Sequence, residues 1–351
     1  MKSTSTLWKN WVSTPMRTEF VQTLAEIARK DRNAILVTGD LGFGVLEEFA
    51  RDFPTQYINA GVAEQNMTGL AVGLALEGKI VYTYSIGNFP SLRCLEQVRN
   101  DACYHNANIK IVCVGGGFAY GALGFSHHAT EDLGIMRTMP HMTVVAPGDG
   151  AETKAAVWGI HHTQGPCYLR LGRGGEPAVH GSAMVFRIGR AIQICEGDDA
   201  ILISTGGILG NVCEARNRLN KSGLSVGLYS MHTIKPIDRE AIQKAATKTK
   251  LIVTVEEHSL MGGLGGAVAE VLAEMSQPRS RLRLLGIESP CHAVVGDQKY
   301  LRALNGLSVE SIVRTVQSAV EEINSAQQSV GKIEEPCLLE VCRDDAIAGR
   351  F

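Results

Sequence analysis

"VAEQNMTGLAVGLALEGKIVYTYS" (residues 62–85) decides the fold class. After Glu64, Gln65 and Asn66 the segment to Leu76 is almost wholly small or apolar, the composition of a helix buried over most of its surface. "KIVYTYS" (79–85) then turns to β-branched and aromatic residues, the mark of a strand. The same rhythm extends in both directions. Upstream, Thr14-Pro15 opens a helix to about Arg29, and "AILVTGD" (34–40) reads as a buried strand with its exit loop. Downstream, "SLRCLEQVRNDACYH" (91–105) reads as a helix, while "IKIVCVGGG" (109–117) and "MTVVAPGD" (142–149) read as strands ending in loops. Strands alternating with helices predict a mostly parallel sheet covered on both faces, with ligands beyond the C-terminal strand ends.

Past "YLRLGRGGEPAVHG" (168–181) the alternation begins again. Strands are expected at 199–205, 225–231, 250–258 and 282–287, and helices up to about 222, over 238–247, after "MGGLGG" (261–266) and over 308–323. The expectation is an α/β protein of two doubly wound domains, 12–182 and 187–324, followed by an extension over 325–351.

The bulk composition excludes several classes. A hydrophobic content of 45% with 20% charged residues suits a globular protein with a substantial core. A net charge of −2 predicts no nucleic-acid or acidic-membrane partner. The nine cysteines contain no CxxC pair, which points to reduced thiols and a cytoplasmic location rather than a disulfide frame. The N-terminus lacks the apolar run of a signal peptide, and no membrane-spanning run occurs.

Candidate chemistry is sparse. "GDG" (148–150) has no asparagine between Ala151 and Phe186, so it reads as a strand-to-helix turn and not as a metal-diphosphate motif. "MGGLGG" lacks dinucleotide-binding spacing and reads as a tight turn. Glu64, an acid opening an apolar helix, is either a charge favoured by the helix dipole or a buried functional carboxylate. "YGALGFSHHATED" (120–132) holds adjacent histidines without metal-ligand spacing, so no metal site is expected.

"INAGVAEQNMTGLAVGLALEGKIVYTYSIGNF", "LEQVRNDACYHNANIKIV" and "MRTMPHMTVVAPGDGAETKAA" resemble the C-terminal half of transketolase and its relatives. Those relatives include deoxyxylulose-phosphate synthase and the β subunits of 2-oxo-acid dehydrogenases. The resemblance spans about residues 12–320 and implies a pyrimidine-binding domain followed by a transketolase C-terminal domain. It implies thiamine diphosphate as cofactor. Glu64 then hydrogen-bonds the aminopyrimidine N1′ and favours the imino form, whose amine nitrogen deprotonates the thiazolium carbon to an ylid. The stacking aromatic is Phe89 or, second, Tyr84. Asp40 and Leu41 match a loop at the cofactor edge, although Asp40 also reads as a turn acid.

The same resemblance places Arg170 of "LRLGR" on a sugar phosphate, a role suited to its planar fork; the other reading is an arginine paired with an acid. The family's loop Gly-Asp-Gly-Pro-Thr-His-Gln lines up so that His127 takes the active-site histidine and His128 is structural. Leu123, Phe125 and Ser126 replace its Asp, Pro and Thr. A leucine accepts no hydrogen bond, so the substrate is expected to depart from standard pentose phosphates near that position. "VEEH", ending at His258, is read as structural or interface-forming.

In full-length transketolases a diphosphate-binding domain with a GDG…N motif comes before this region, and the sequence starts where that domain would end. The resemblance therefore implies the small subunit of a split transketolase. An α-like partner would hold Mg2+ and share the cofactor in an α2β2 assembly acting on small sugars or sugar phosphates. The alternatives are a β subunit of a 2-oxo-acid dehydrogenase-type or other thiamine-dependent enzyme, and a non-catalytic regulatory partner.

Overall fold

A computed structural model describes residues 14–181, 184–276, 280–288 and 294–330, with side chains to residue 326. The strands in chain order are β1 (Ala34–Thr38), β2 (Tyr57–Asn59), β3 (Ile80–Ile86), β4 (Ile109–Val114), β5 (Thr143–Val145) and β6 (Cys167–Leu171), then β7 (Ile192–Cys195), β8 (Ala200–Ser204), β9 (Val226–Ser230), β10 (Thr233–Lys235), β11 (Leu251–Ser259) and β12 (Arg281–Ile287). They form two sheets, β10-β5-β6-β4-β3-β1-β2 and β12-β11-β8-β9-β7. All pairings are parallel except β10 with β5 and β7 with β9. The α/β class, with two mostly parallel sheets, is as expected.

Burial explains the architecture. β1, β4, β6, β8, β9 and β11 are buried along their whole lengths, as strands covered by helices on both faces must be. Helix Met16–Lys30 turns Phe20, Leu24 and Ile27 onto one face of the first sheet, beside Ala156 and Ile160 of helix Gly150–His161. Helix Glu64–Leu76 puts Met67, Ala71 and Val72 on the other face. That second core runs on without a break into Ile201, Ile203 and Ile252 of the second sheet and Val268 of the helix Leu264–Ala273 that covers it. The two sheets thus share apolar packing.

Four local features depart from the sequence reading. Pro15 occupies the N-cap position, one residue earlier than the first helical residue. Residues 91–105 are not one regular helix: a single α turn, Leu95–Gln97, passes into a π-helical turn, Val98–Cys103. The edge strands β2, β7 and β10 were not anticipated, and β10, from the second half of the chain, completes the first sheet. The final helix runs Val309–Val330, so the expected start of an extension at 325 falls inside it; residues 331–351 lie outside the described residues. No helix among the described residues is long and apolar enough to cross a membrane.

The two glycine motifs are both helix starts. Asp149 caps helix Gly150–His161, accepting from Glu152 N at 2.9 Å, and also accepts from Val179 N and His180 N at 2.8 Å each. Glu256 does the same for helix Leu264–Ala273, accepting from Leu264 N and Gly265 N at 2.7 Å each. Gly263 is required there, because a Cβ would lie 2.1 Å from Glu256 Oε2.

Candidate active site

The loops after β1, β3 and β4 meet at the C-terminal edge of the first sheet, where open α/β folds bind ligands. Glu64 opens its helix at this edge and is only 4% exposed. Its Oε2 accepts from Arg93 Nη1 at 2.8 Å. The Arg93 guanidinium lies over the Phe89 ring, 4.3 Å from its centre. Phe89 in turn meets His127 edge to face, ring centres 5.2 Å apart. A buried carboxylate, a planar cation, an aromatic ring and an imidazole therefore stand in one row.

The row is held by backbone ties. The Asn88 amide donates to Ser126 O at 3.3 Å and also to His128 O, fastening the β3 loop to the histidine loop. His127 is half-buried, with Nδ1 3.0 Å from Ser126 Oγ. Burial lowers its pKa below the ordinary imidazole value, assisted by His128 and by the Arg93 charge. His128 points away and is fully buried, its Nε2 3.2 Å from Gly121 O and its ring against Phe118. The adjacent histidines therefore diverge, and among the described residues no group of three or more potential ligands could hold a metal ion.

Leu123 and Phe125 flank His127 in two short 3₁₀ turns and are 57% and 49% exposed. Ser126 is exposed beside them. Asp40 is a turn acid with φ of +58°, locked to Asn59 by two hydrogen bonds of 2.9 and 3.0 Å. The Leu41 carbonyl accepts from Thr38 Oγ1 at 3.0 Å, which closes the same loop.

Two residues are placed elsewhere than expected. Tyr84 is 3% exposed and stacks on Phe20 at 5.8 Å, inside the core on the far face of the sheet; of the two aromatics, Phe89 is the one in the row. Arg170 is 4% exposed and does not open onto the row. Its Nε lies 3.0 Å from Asp132 Oδ2, and its Nη2 donates to Ala129 O and Glu257 O at 2.5 and 2.9 Å. Arg170 is thus the arginine paired with an acid. Gly116 makes room for it, since a Cβ there would sit 2.4 Å from Arg170 Nε.

Arg170 belongs to a tie between the two sheets. Glu257, on β11, accepts from Phe118 N at 2.7 Å, from Gln298 at 3.0 Å and from Arg302 Nη2 at 2.6 Å. Next to it, His258 Nδ1 is 2.7 Å from Ser259 O, and its Nε2 accepts from Gly134 N at 3.1 Å. Both ring nitrogens of His258 are thus engaged with backbone groups.

The sequence reading missed Arg93 and Arg173. Arg173 is exposed and lies over the Tyr120 ring at 5.0 Å, and Tyr120 is 6.5 Å from the His127 ring. A signal for Arg173 existed. β6 ends at Leu171, so Arg170 is inside the strand, whereas Arg173 stands in the loop beyond its C-terminal end. The signal for Arg93 is weaker: a buried acid at position 64 calls for a cation, but only the fold names which one.

Comparison with known proteins agrees with this geometry. Residues 13–176 match the model of the transketolase pyrimidine-binding domain, and residues 189–312 that of the transketolase C-terminal domain. The chain is 38% identical over 308 residues to an apulose-4-phosphate transketolase subunit from Phocaeicola vulgatus, covering 87% of this chain and 97% of the relative. It is 36% identical over 310 residues to a 6-deoxy-6-sulfo-D-fructose transketolase subunit from a Clostridium species, covering 88% and 95%. A solved structure described as a split gene transketolase, inactive beta4 tetramer, superposes with a TM-score of 0.80 at 34% identity, covering 88% of this chain and 99% of that one. The chain belongs to the transketolase family, as a β-type subunit of the split form.

Proposed function

We propose that the chain is the small subunit of a heteromeric, thiamine diphosphate-dependent transketolase, transferring a two-carbon ketol unit between sugar phosphates. The observation that carries this is the buried Glu64 carboxylate facing a planar group stacked on Phe89, with His127 alongside. Those residues fit an aminopyrimidine: the present occupant, a guanidinium, is also flat and presents N–H donors at its edge. When bound, thiamine diphosphate supplies the carbanion that carries the two-carbon unit. Glu64 would hold the ring at N1′ and share its proton, Phe89 would stack on it, and Asp40 and Leu41 would border it.

The diphosphate and Mg2+ are assigned to a partner subunit carrying a GDG…N motif, in an α2β2 assembly that shares the cofactor between the two kinds of chain. Support comes from relatives named as single subunits and from the solved β4 tetramer described as inactive. The scattered cysteines, free among the described residues, support a cytoplasmic setting.

His127 is the group that moves protons on the substrate. Its lowered pKa leaves the imidazole neutral at pH 7, free to take a proton from a substrate hydroxyl and return it. The acidic limb of kcat/KM against pH is therefore expected below the ordinary imidazole pKa of about 6.5. A limb above that value in the reconstituted enzyme would contradict the assignment.

Arg173, rather than Arg170, is assigned to the substrate phosphate, because it is exposed, lies over Tyr120 of the His127 loop and stands beyond the end of β6. Hydrogen bonds to charged groups contribute about 1.5–3 kcal/mol. Arg173→Ala should therefore raise KM for a phosphorylated substrate by about 10- to 100-fold with little change in thermal stability. An unaltered KM would remove Arg173 from the site.

Leu123 offers an apolar surface where a hydroxyl-binding acid is expected, so the substrate departs from standard pentose phosphates. The unusual sugars in the names of two relatives favour this reading. The reconstituted pair of subunits should be assayed for thiamine-dependent ketol transfer across a panel of ketose phosphates. Equal efficiency on xylulose and ribose phosphates would overturn the shifted specificity, and no transfer to any acceptor would overturn the transketolase reading.

A further inference from the structure

Arg93 already makes the two contacts assigned above to the cofactor ring. Its Nη1 donates to Glu64 Oε2 at 2.8 Å, and its guanidinium sits 4.3 Å from the centre of the Phe89 ring. A guanidinium and a protonated aminopyrimidine share the features such a seat recognises: a plane to stack, positive charge and N–H donors along one edge. A stacking distance of 4.3 Å leaves no gap for a second ring on that face of Phe89.

We propose that Arg93 is a placeholder for the aminopyrimidine: it neutralises Glu64 and covers Phe89 while the seat is empty, and swings into solvent when thiamine diphosphate enters. The two partners differ in the way this requires. The Glu64 side chain is 4% exposed and opens a helix, so it stays in place; the Arg93 side chain is 48% exposed and already borders solvent. The arrangement has a physical reason. Removing one partner of a buried ion pair is strongly unfavourable, so the acid of the seat needs a cationic partner before the cofactor arrives. It also has a consequence: the fraction of molecules with Arg93 swung out sets the apparent cofactor affinity.

The inference rests on Glu64 and Phe89 being the cofactor seat, and the test separates the two ideas. Thiamine diphosphate is titrated, with Mg2+, into the complex reconstituted with its partner subunit, and binding is followed by calorimetry and by the rate of tryptophan fluorescence change. Arg93→Met is expected to bind the cofactor about tenfold tighter, the factor that corresponds to 1.4 kcal/mol, and to load faster. Arg93→Lys keeps the charge but not the plane and should fall between the two; it also serves if the methionine variant does not assemble. Glu64→Ala and Phe89→Ala should both weaken binding. Unchanged or weaker binding in the Arg93 variants, with weakening in the other two, overturns the placeholder and leaves the seat standing. Wild-type affinity in both Glu64→Ala and Phe89→Ala overturns the seat itself.

Discussion

Glu64→Gln in the reconstituted enzyme should lower kcat by about 10²- to 10⁴-fold, the range contributed by a positioned acid–base group. Glutamine is close to isosteric and its amide oxygen can still accept from Arg93, so packing and the Arg93 contact survive. What it cannot do is hold and release a proton. Steady-state ketol transfer, with a thermal unfolding scan of the same preparation, separates the outcomes. A large loss of turnover at unchanged unfolding temperature supports Glu64 as the acid–base residue. Wild-type turnover would remove it from the chemistry and favour a non-catalytic subunit. A parallel loss of turnover and stability would mean that the change acts through folding, and Glu64→Asp would then test the role with the charge retained.

Arg170→Met should give the largest loss of stability, about 3–5 kcal/mol, because it removes one partner of a buried ion pair and leaves the other uncompensated. Asp132 is fully buried, and Tyr168 OH at 2.6 Å would be its remaining hydrogen-bond donor beside an empty place where the Arg170 Nε stood at 3.0 Å. The Glu257 carbonyl would lose the Arg170 donor as well, and the Ala129 carbonyl would be left with Gly117 N. Since Ala129 belongs to the loop after β4 and Glu257 to β11, the loss falls on the joint between the sheets. Urea unfolding of the subunit should show a lower midpoint and, where the sheets come apart separately, two transitions. Near-wild-type stability with a raised KM for phosphorylated substrates would reverse the assignments of Arg170 and Arg173.

The two arginines of "LRLGR" show what a sequence carries and what it does not. Motif resemblance places Arg170 on the phosphate and passes over Arg173. The geometry of β6 supports the other choice: Arg170 lies within the strand and turns to Asp132, while Arg173 follows the strand end and meets Tyr120. Tyr84 and Phe89 divide the same way, one inside β3 with Phe20 behind it, the other in the loop beyond. In each case the local pattern identifies the residue type required, and the strand boundary selects the residue.

By itself the sequence determined the α/β class, the repetition of that class in a second sheet, the Glu64 and His127 loops, and the reading of GDG as a helix start. These are written in short-range periodicity and in contiguous motifs, where neighbours along the chain carry the information. Only the tertiary structure decided that β10 completes the first sheet, that Arg170 and Glu257 join the two halves, and that Arg93 stands between Glu64 and Phe89. Those contacts link residues far apart in sequence: 29 positions separate Arg93 from Glu64, and 87 separate Arg170 from Glu257. A buried charge has to find a partner, but which distant side chain reaches it depends on how the sheets pack, and no local pattern encodes that choice.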